Sequence, residues 1–421
     1  MNEQLFQNRR KALMDRLDDG SFAVLYAGEA PHKTNDQFFP FVVDRNFHYL
    51  TGLNRSAFVL VLIKSGVKRF EYLFIEEPSD YATKWLGRRM TKEEALDVSG
   101  IPLTNIFFVE QFAGFITSQV MGNSRKALVK APSNLYLDLY RYLPYVKPKA
   151  LVKAEKIIET YPELTLKNID EILDLQRMIK DEVEVKAIET AIGYAQKGLE
   201  AIWKSAKPGV NEHELEALFE YASKAAGSEG NSFSTIAASG KNATVLHYED
   251  NNQVAKKGSL VLLDLGCLSG HYASDISRTW PVSGTFSERQ KVLYQLVLDV
   301  NKQCIDLVKP GLMVAELNAY AKKLLAEGAI KIGLIKEASE IEKYYYHNVS
   351  HYLGLDVHDV GSYQLPLAAG VVLTIEPGLY VEEEAIGIRI EDNVLVTETG
   401  HRNLSKGIIK EIADLEAFMK K

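Results

Sequence analysis

Apolar and polar residues along the first third of the chain fall into short blocks of two kinds. Residues 9–17 have the spacing of an amphipathic helix, whereas residues 22–26 and 58–63 are compact apolar runs typical of buried strands. Because blocks of both kinds alternate within a short stretch, this part of the chain is expected to form a mixed domain of helices and strands.

A change in this pattern marks the predicted domain boundary. Three prolines interrupt the chain before it: Pro144, Pro148 and Pro162. A charged segment with strong helical spacing then covers residues 169–204. We therefore predict a smaller N-terminal domain at residues 1–170, which lacks any cluster of potential ligands, and a second domain at residues 171–421. The fold class is α/β (α+β).

The second domain contains a weak internal repeat. Lys207-Pro-Gly and Lys309-Pro-Gly each precede a helical segment with a Glu-Leu pair at the same offset. Each half then supplies an apolar strand that ends in a carboxylate, Asp264 in the first half and Glu376 in the second. Two halves related by a pseudo-two-fold axis would bring these carboxylates towards one centre. Lys-Pro-Gly before a helix is also common turn chemistry, which would leave the two halves unrelated.

Composition and charge narrow the class of protein. A chain of 421 residues exceeds one hydrophobic core, and its net charge of −7 does not attract nucleic acid. The N-terminus does not resemble a signal peptide, and no apolar run is long enough to cross a bilayer.

Two cysteines, Cys267 and Cys304, exclude a disulfide framework. Cys267 lies in an apolar strand pattern and is interpreted as a buried thiol rather than a nucleophile. We expect a cytoplasmic protein with no nucleic-acid or membrane partner.

Two aspartates are the first candidate functional residues. Ser269-Gly270 has the composition of a two-residue hairpin turn, which would place Asp264 directly opposite Asp275. Like charges so placed destabilise a sheet unless a shared proton, a basic residue or a cation compensates them. An exposed pair screened by water is the alternative. Because Asp264 ends an apolar strand, burial is favoured, and a bound cation explains the pair best.

Two glutamates repeat this arrangement in the second half. Glu376 directly precedes a Pro-Gly turn. The stretch 386–393 alternates, with isoleucines on one face and Arg389, Glu391 and Asn393 on the other. The polar face of an exposed edge strand would give the same pattern, so Glu391 is a candidate only together with the other carboxylates.

Histidines supply the remaining candidates. Three of the nine, His347, His351 and His358, lie within twelve residues, which favours a metal or catalytic site over a structural role; His247 is uninformative by itself. Four carboxylates with one imidazole are too rich in oxygen for structural zinc. They suit Mn²⁺, with Co²⁺, Fe²⁺ or Zn²⁺ as substitutes. Two such ions about 3.5–4 Å apart can hold a hydroxide between them and polarise a carbonyl group.

Several blocks together resemble aminopeptidase P, the Xaa-Pro aminopeptidase branch of the creatinase, prolidase and methionine aminopeptidase superfamily. The most specific blocks are Asp264-Leu-Gly-Cys, Ser274-Asp275-Ile-Ser-Arg, His347-Asn-Val-Ser-His351, Glu376-Pro-Gly-Leu-Tyr and Arg389-Ile-Glu391-Asp-Asn. The resemblance covers essentially the whole chain. It implies a catalytic domain with the pita-bread fold and an internal pseudo-two-fold axis, preceded by a creatinase-like α/β domain.

The resemblance also implies the site residues. The implied metal ligands are Asp264, Asp275, His351, Glu376 and Glu391, of which Asp275 and Glu391 would bridge two divalent ions. The implied catalytic set comprises Glu376 as the base that activates water, His347 and His358 as supporting histidines, His247 as a substrate and intermediate contact, and Arg389 as the residue that orients the carboxylates. Asn348 departs from the family, which usually has Gly there. Because Asn tolerates a left-handed backbone, the turn is expected to survive.

The implied activity is that of a metallo-aminopeptidase, which removes the first residue from short peptides whose second residue is proline, through a hydroxide bridging two metal ions. A prolidase restricted to dipeptides shares all five ligands, but the residues after Asp275 are more like the aminopeptidase. A metal-free binding module or creatine hydrolase of the same fold is disfavoured because no ligand is missing.

The family implies a homodimer or homotetramer, in which the first domain contributes to assembly and narrows access to the site. Trp85 would then reach a neighbour's pocket or be an ordinary half-buried residue.

Overall fold

A computed structural model describes residues 3–122 and 130–420, and it divides the chain into two compact units. The first unit ends at Gln176 and the second begins at Arg177, six residues beyond the predicted boundary. Within residues 3–122 and 130–420, no helix combines the length and the apolar character that a membrane crossing requires.

The first unit is built on one mixed sheet flanked by helices. Its helices are α1 (Glu3–Arg16), α2 (Arg45–Thr51), α3 (Asp80–Leu86), α4 (Lys92–Ser99), α5 (Phe112–Phe115), α6 (Lys149–Thr160) and α7 (Asp170–Met178), within which the division falls. Its strands are β1 (Ser21–Tyr26), β2 (His32–Thr34), β3 (Gln37–Phe38), β4 (Val59–Ser65), β5 (Lys68–Ile75), β6 (Ile106–Phe108), β7 (Asn134–Leu137) and β8 (Thr165–Asn168).

The two apolar runs form the central strands of the main sheet in this unit. The order is β6-β5-β4-β1-β7-β8, with β1 antiparallel to β4 and parallel to β7. The two predicted apolar strands are β1 and β4, which lie at the centre of the sheet and are buried on both faces. The predicted helix is α1, which begins six residues earlier than expected. Trp85 in α3 is 74% exposed, so the half-buried alternative is wrong.

The second unit carries the candidate functional residues. Its helices are α8 (Glu182–Ser205), α9 (Glu212–Ala226), α10 (Glu288–Leu307), α11 (Val314–Lys331) and α12 (Ile412–Met419). Its strands are β9 (Ile236–Ser239), β10 (Leu260–Leu265), β11 (Leu268–Ser269), β12 (Tyr272–Ala273), β13 (Ile276–Pro281), β14 (Val372–Ile375), β15 (Gly378–Val381), β16 (Ile386–Arg389), β17 (Asp392–Val396) and β18 (His401–Asn403).

The two halves of this unit have corresponding elements, as the repeat predicts. In each half a pair of packed helices, α8 with α9 and α10 with α11, precedes a three-stranded antiparallel sheet. The sheet orders are β13-β10-β9 and β14-β17-β18. Glu214 in α9 and Glu316 in α11 each accept a hydrogen bond from the amide of the residue that caps their helix, at 2.8 and 2.9 Å. The repeated Glu therefore starts a helix in both halves.

The hairpin after β10 turns one residue later than predicted. Ser269 pairs with Tyr272, so the turn residues are Gly270 and His271, whose φ angles are +55° and +66°. Positive φ at both central positions is the type I′ pattern that matches the twist of a hairpin. The carboxylate of Glu229 accepts hydrogen bonds from both turn amides, at 2.8 and 3.0 Å, which stabilises a non-glycine residue in this conformation.

This shift corrects the predicted pairing of the two aspartates. Asp264 lies opposite Ser277, not opposite Asp275. Asp275 is instead the diagonal neighbour of Asp264, two residues along the partner strand, and diagonal neighbours share one face of a sheet. The prediction of direct opposition is therefore wrong, although the two carboxylates still face the same side.

The stretch 386–393 is also divided differently from the prediction. It forms the end-to-end strands β16 and β17 with Glu391 between them, and Glu391 is only 1% exposed, which rules out an exposed edge. Arg278 fixes this junction: its guanidinium donates to the carbonyl of Glu391 and, at 2.9 Å, to the buried carboxylate of Asp392. Lys410 pairs with the same carboxylate, and the two cations lower the pKa of Asp392 to about 2 despite its burial.

Candidate active site

A single cavity of about 370 Å³ in the second unit brings together every predicted site residue. Its lining includes the nine predicted residues and four others: Leu246, His247, Asp264, Asp275, His347, Asn348, Ser350, His351, His358, Tyr363, Glu376, Arg389 and Glu391. The lining comes from segments throughout the second unit, so the tertiary fold assembles the site.

Four carboxylates approach the cavity from four ends or junctions of strands. Asp264 lies near the end of β10, and Asp275 immediately precedes β13. Glu376 immediately follows β14, and Glu391 lies between β16 and β17. Strand ends allow side chains to project into a cavity while the strand itself remains buried, which explains how acidic residues follow strongly apolar runs.

Burial and mutual repulsion make these acids hard to ionise together. Burial, followed by the negative charges of Asp264 and Glu376, raises the pKa of Asp275 well above its usual value. Burial raises the pKa of Glu391 in the same way, with the charges of Asp275 and Glu376 as the next causes. Burial also raises the pKa of Glu376, against an opposing effect of His351 and Arg389. The pocket lacks the positive charge needed to hold all four as carboxylates.

His351 faces this acidic group with one of its two ring nitrogens. Its Nδ1 lies 3.0 Å from the carbonyl of Tyr352, and since a carbonyl only accepts, Nδ1 carries the ring proton. The other ring nitrogen, Nε2, lies 3.4 Å from Oδ2 of Asp275 and 3.4 Å from Oε1 of Glu376. A lone pair directed at two carboxylate oxygens is repulsive unless a proton or a cation lies between them.

Two carboxylate oxygens lack a partner altogether. Within the described part of the chain, Oδ1 of Asp264 and Oε1 of Glu391 are buried and accept no hydrogen bond. Ligand atoms of Asp275, His351 and Glu391 lie within 4.8 Å of one another, a spacing that one metal ion can span. Carboxylate oxygens and an imidazole nitrogen, in a site with excess negative charge, are the ligands that a hard or borderline divalent ion prefers. The residues therefore fit a metal site.

Comparison with known proteins agrees with this chemistry. The model of metallopeptidase family M24 matches residues 186–398, and that of the aminopeptidase P N-terminal domain matches residues 6–129. The Xaa-Pro aminopeptidase of Haemophilus influenzae is 32% identical over 435 residues, covering 98% of this chain and 96% of its own length.

The chain belongs to the aminopeptidase P family of M24 metallopeptidases.

Solved structures of this family have the same fold. A Bacillus anthracis structure assigned to aminopeptidase P is 44% identical, with a TM-score of 0.95 over 100% of this chain and 99% of that one. Aminopeptidase P of Escherichia coli is 29% identical, with a TM-score of 0.90 over 100% and 98% of the two chains. It has been solved with the inhibitor Pro-Leu and, in a zinc-substituted form, with product. An N-terminal domain followed by an M24 domain confirms the predicted fold class, and the protein is a metal-dependent aminopeptidase rather than a prolidase.

Arg389 holds one wall of the aminopeptidase site. It is 3% exposed, and each of its three guanidinium nitrogens donates a hydrogen bond: Nη2 to Asp264 at 2.6 Å, Nε to Ser277 at 2.8 Å and Nη1 to the hydroxyl of Tyr380 at 3.1 Å. Ser277 in turn donates to Oε2 of Glu391 at 2.9 Å. Arg389 thus fixes carboxylates from both halves of the domain, one directly and one through a hydroxyl group.

Tyr380 continues this network to His347. Nδ1 of His347 donates to the carbonyl of Asn348 at 2.7 Å, so Nε2 accepts the Tyr380 hydroxyl proton at 2.8 Å. Burial, followed by the charge of Arg389, lowers the pKa of His347 to about 4, and the ring is neutral near pH 7. Among the described residues, Asn348 is not one of the non-glycine positions with positive φ. Glycine is therefore not needed there for its conformational freedom.

The other two histidines present free rings to the cavity. In the part of the chain that the structure describes, no protein group hydrogen-bonds to the imidazole of His247 or His358. The ring of His358 lies against that of His351, with centroids 4.1 Å apart. Partial burial, followed by the charges of His351 and His247, lowers the pKa of His358 to about 4. A neutral imidazole with no protein partner is available to a substrate as a hydrogen-bond donor.

Sequence reasoning missed several residues that shape this site: Ser277, Ser350, Tyr363, Thr374 and Tyr380. Period-two spacing offered a signal for two of them, because Ser277 lies two residues after Asp275 and Thr374 two before Glu376. Thr374 donates to Oε1 of Glu376 at 3.4 Å. The contacts of the other three depend on tertiary packing.

Proposed function

We propose that this enzyme hydrolyses the bond between an N-terminal residue and a penultimate proline, using two divalent ions held by Asp264, Asp275, His351, Glu376 and Glu391. The observation that carries this proposal is the meeting of four carboxylates, two of them buried and two partly buried, with the imidazole of His351 in one cavity. We propose Mn²⁺ as the preferred ion, because a set of carboxylates with one imidazole suits it best.

A charge balance supports two ions rather than one. Ionised together, the four carboxylates carry four negative charges, of which the buried Arg389 offsets one. One divalent ion would leave a net negative charge in the site, whereas two divalent ions together with one bound hydroxide would make it neutral. Asp275 and Glu391 are the best candidates to be shared between two ions, since both lie in the group that also contains His351.

The side chains of the site divide the remaining work. Divalent ions in such a site supply Lewis acidity and lower the pKa of a water molecule. Glu376, whose own pKa is raised, can accept a proton from water and return it to the departing nitrogen. Proline supplies a tertiary amide without an N–H, so the pocket requires no acceptor at that nitrogen. His247 and His358 can donate to the developing oxyanion, while Tyr380 holds His347.

Peptide length separates this proposal from its runner-up, a dipeptide-specific prolidase with the same ligands. We expect Mn²⁺-loaded protein to release arginine from Arg-Pro-Pro and to leave Arg-Ala-Pro essentially intact, because the site selects a proline at the second position. Liquid chromatography of both digests measures this. Release of arginine from the dipeptide Arg-Pro together with an intact Arg-Pro-Pro would favour the prolidase and contradict the proposal.

We also propose a cytoplasmic homo-oligomer, a homodimer or homotetramer, to which the first unit contributes contacts. Both cysteines are buried free thiols, which suits a reducing compartment. Trp85 and Tyr81 are 74% and 73% exposed with ring centroids 6.1 Å apart, and aromatic residues exposed in this way are typical of interfaces. Light scattering measures the assembly state directly.

A further inference from the structure

Glu212 is a completely buried carboxylate outside the metal site. It is the first residue of α9 and is 0% exposed, yet it does not line the cavity. An ionised carboxylate is buried at great cost unless donors surround it. The position at a helix N-terminus favours negative charge, but that effect is too small to account for complete burial.

Five donors converge on this carboxylate from one segment. Oε1 accepts from the amide and the hydroxyl of Ser239, at 2.7 and 2.8 Å, and from the side chain of Asn242 at 3.0 Å. Oε2 accepts from the hydroxyl of Tyr248 at 2.9 Å and from the amide of Gln253 at 2.8 Å. The five hydrogen bonds therefore fix residues 239–253 at both ends and in the middle.

His247 lies within this segment, beside Tyr248. Its ring lines the cavity but, among the described residues, receives no hydrogen bond from the protein. The place of the ring therefore depends on the backbone that carries it. The same segment packs closely against β16: a Cβ on Gly387 would lie 1.9 Å from the carbonyl oxygen of Ala243.

We propose that Glu212 is a positioning residue, which holds the segment 239–253 so that His247 meets the substrate. This inference rests on the proposed function, since it assigns His247 a contact with the reacting peptide. A misplacement of a catalytic contact by about 1 Å can cost about 100-fold in rate. Glu212 thus acts on the reaction through His247 without touching the substrate or the metal site.

Glu212→Gln tests this, because the amide nitrogen of Gln is a donor where the carboxylate accepts. We expect kcat/KM for Arg-Pro-Pro to fall about 10- to 100-fold with Mn²⁺ content unchanged. In a His247→Ala background, Glu212→Gln should cause no further loss, because residues that act as one unit are not additive. Hydrogen exchange at the amides of Ser239 and Gln253 should become faster. Glu220→Gln, on the exposed face of the same helix, is the matched control and should behave as wild type.

Three outcomes decide the matter. Unchanged turnover in Glu212→Gln, or a loss fully additive with that of His247→Ala, overturns the inference while leaving the proposed function intact. Failure of wild-type protein to cleave Arg-Pro-Pro overturns the proposed function and this inference with it. If Glu212→Gln does not fold, Tyr248→Phe removes one of the five hydrogen bonds and should give a smaller loss, again absent in the His247→Ala background.

Discussion

Asp275→Asn and Glu391→Gln are each expected to lower hydrolysis of Arg-Pro-Pro by at least about 1,000-fold. Both side chains belong to the group around His351 whose ligand atoms lie within 4.8 Å of one another. A neutral amide removes one negative charge from the site, and a metal ion contributes several kcal/mol of transition-state stabilisation, which corresponds to about three orders of magnitude in rate. Initial rates and bound Mn²⁺, measured on the same preparations, check this.

The same substitutions should stabilise the metal-free protein at neutral pH. Burial and neighbouring charges raise the folded-state pKa of Asp275 and Glu391 above the unfolded value. Below about pH 4 both groups are protonated in the folded and the unfolded protein, and they cost no stability. The free energy of unfolding then falls as the pH rises through the folded-state pKa. Each unit of difference between the folded and unfolded pKa is worth about 1.4 kcal/mol. At pH 7, metal-free wild type carries a repulsion that the amide variants lack, so urea unfolding should show the variants to be more stable.

Mn²⁺ should reverse that order, because only wild type retains the complete donor set. Glu398→Gln, which changes an exposed carboxylate, is the matched control and should alter neither activity nor metal dependence. Retained activity in Asp275→Asn or Glu391→Gln would remove that residue from the metal site. A metal-free wild type that is as stable as the variants at every pH would show that the carboxylates do not repel one another.

His358→Ala should lower kcat by about 100- to 10,000-fold without loss of bound metal. The ring of His358 lines the cavity beside His351 but lies outside the group of metal-ligating atoms. With its pKa lowered to about 4, the imidazole is neutral near pH 7 and can donate one N–H to the developing oxyanion. Losing an acid–base or oxyanion contact typically costs two to four orders of magnitude. Steady-state kinetics and metal analysis of the same preparation measure both quantities.

An exposed histidine elsewhere in the domain supplies the control. His213 in α9 lies outside the cavity lining, so His213→Ala should leave kcat unchanged. If His358→Ala instead loses bound Mn²⁺ in proportion to its activity, His358 is a ligand, and its proposed role as a neutral donor is wrong.

The pattern of apolar strands singled out Asp264 and Glu376, because a carboxylate at the end of such a strand must be compensated, whereas the complete set of acids and histidines required the family resemblance. The sequence was insufficient for the exact geometry of the hairpin. Ser269-Gly270 satisfies local turn preferences, yet the turn forms at Gly270 and His271, where Glu229, some forty residues earlier, binds both amides. A tertiary contact decided the register, and no local pattern contained it.

Other differences have other physical causes. The helical segment 169–204 is two helices, and its break was visible: Asp181 and Glu184 form a capping box, which starts α8. By contrast, the network through Tyr380 required knowledge of the fold, since its hydroxyl bridges Arg389 at the end of β16 and His347 in a loop some forty residues earlier. Capping is a property of neighbouring residues, whereas a hydrogen-bond network in a cavity depends on which strand ends meet.

Titration of chelator-treated protein with Mn²⁺ tests most directly whether the acidic groups of the second unit are held ionised by divalent ions. Bound metal and Arg-Pro-Pro hydrolysis are followed together on the same samples. We expect no hydrolysis without metal, and activity that rises until about two ions are bound per chain. Wild-type rates in protein stripped of metal, or no Mn²⁺ binding by the folded chain, would contradict the metal-dependent mechanism.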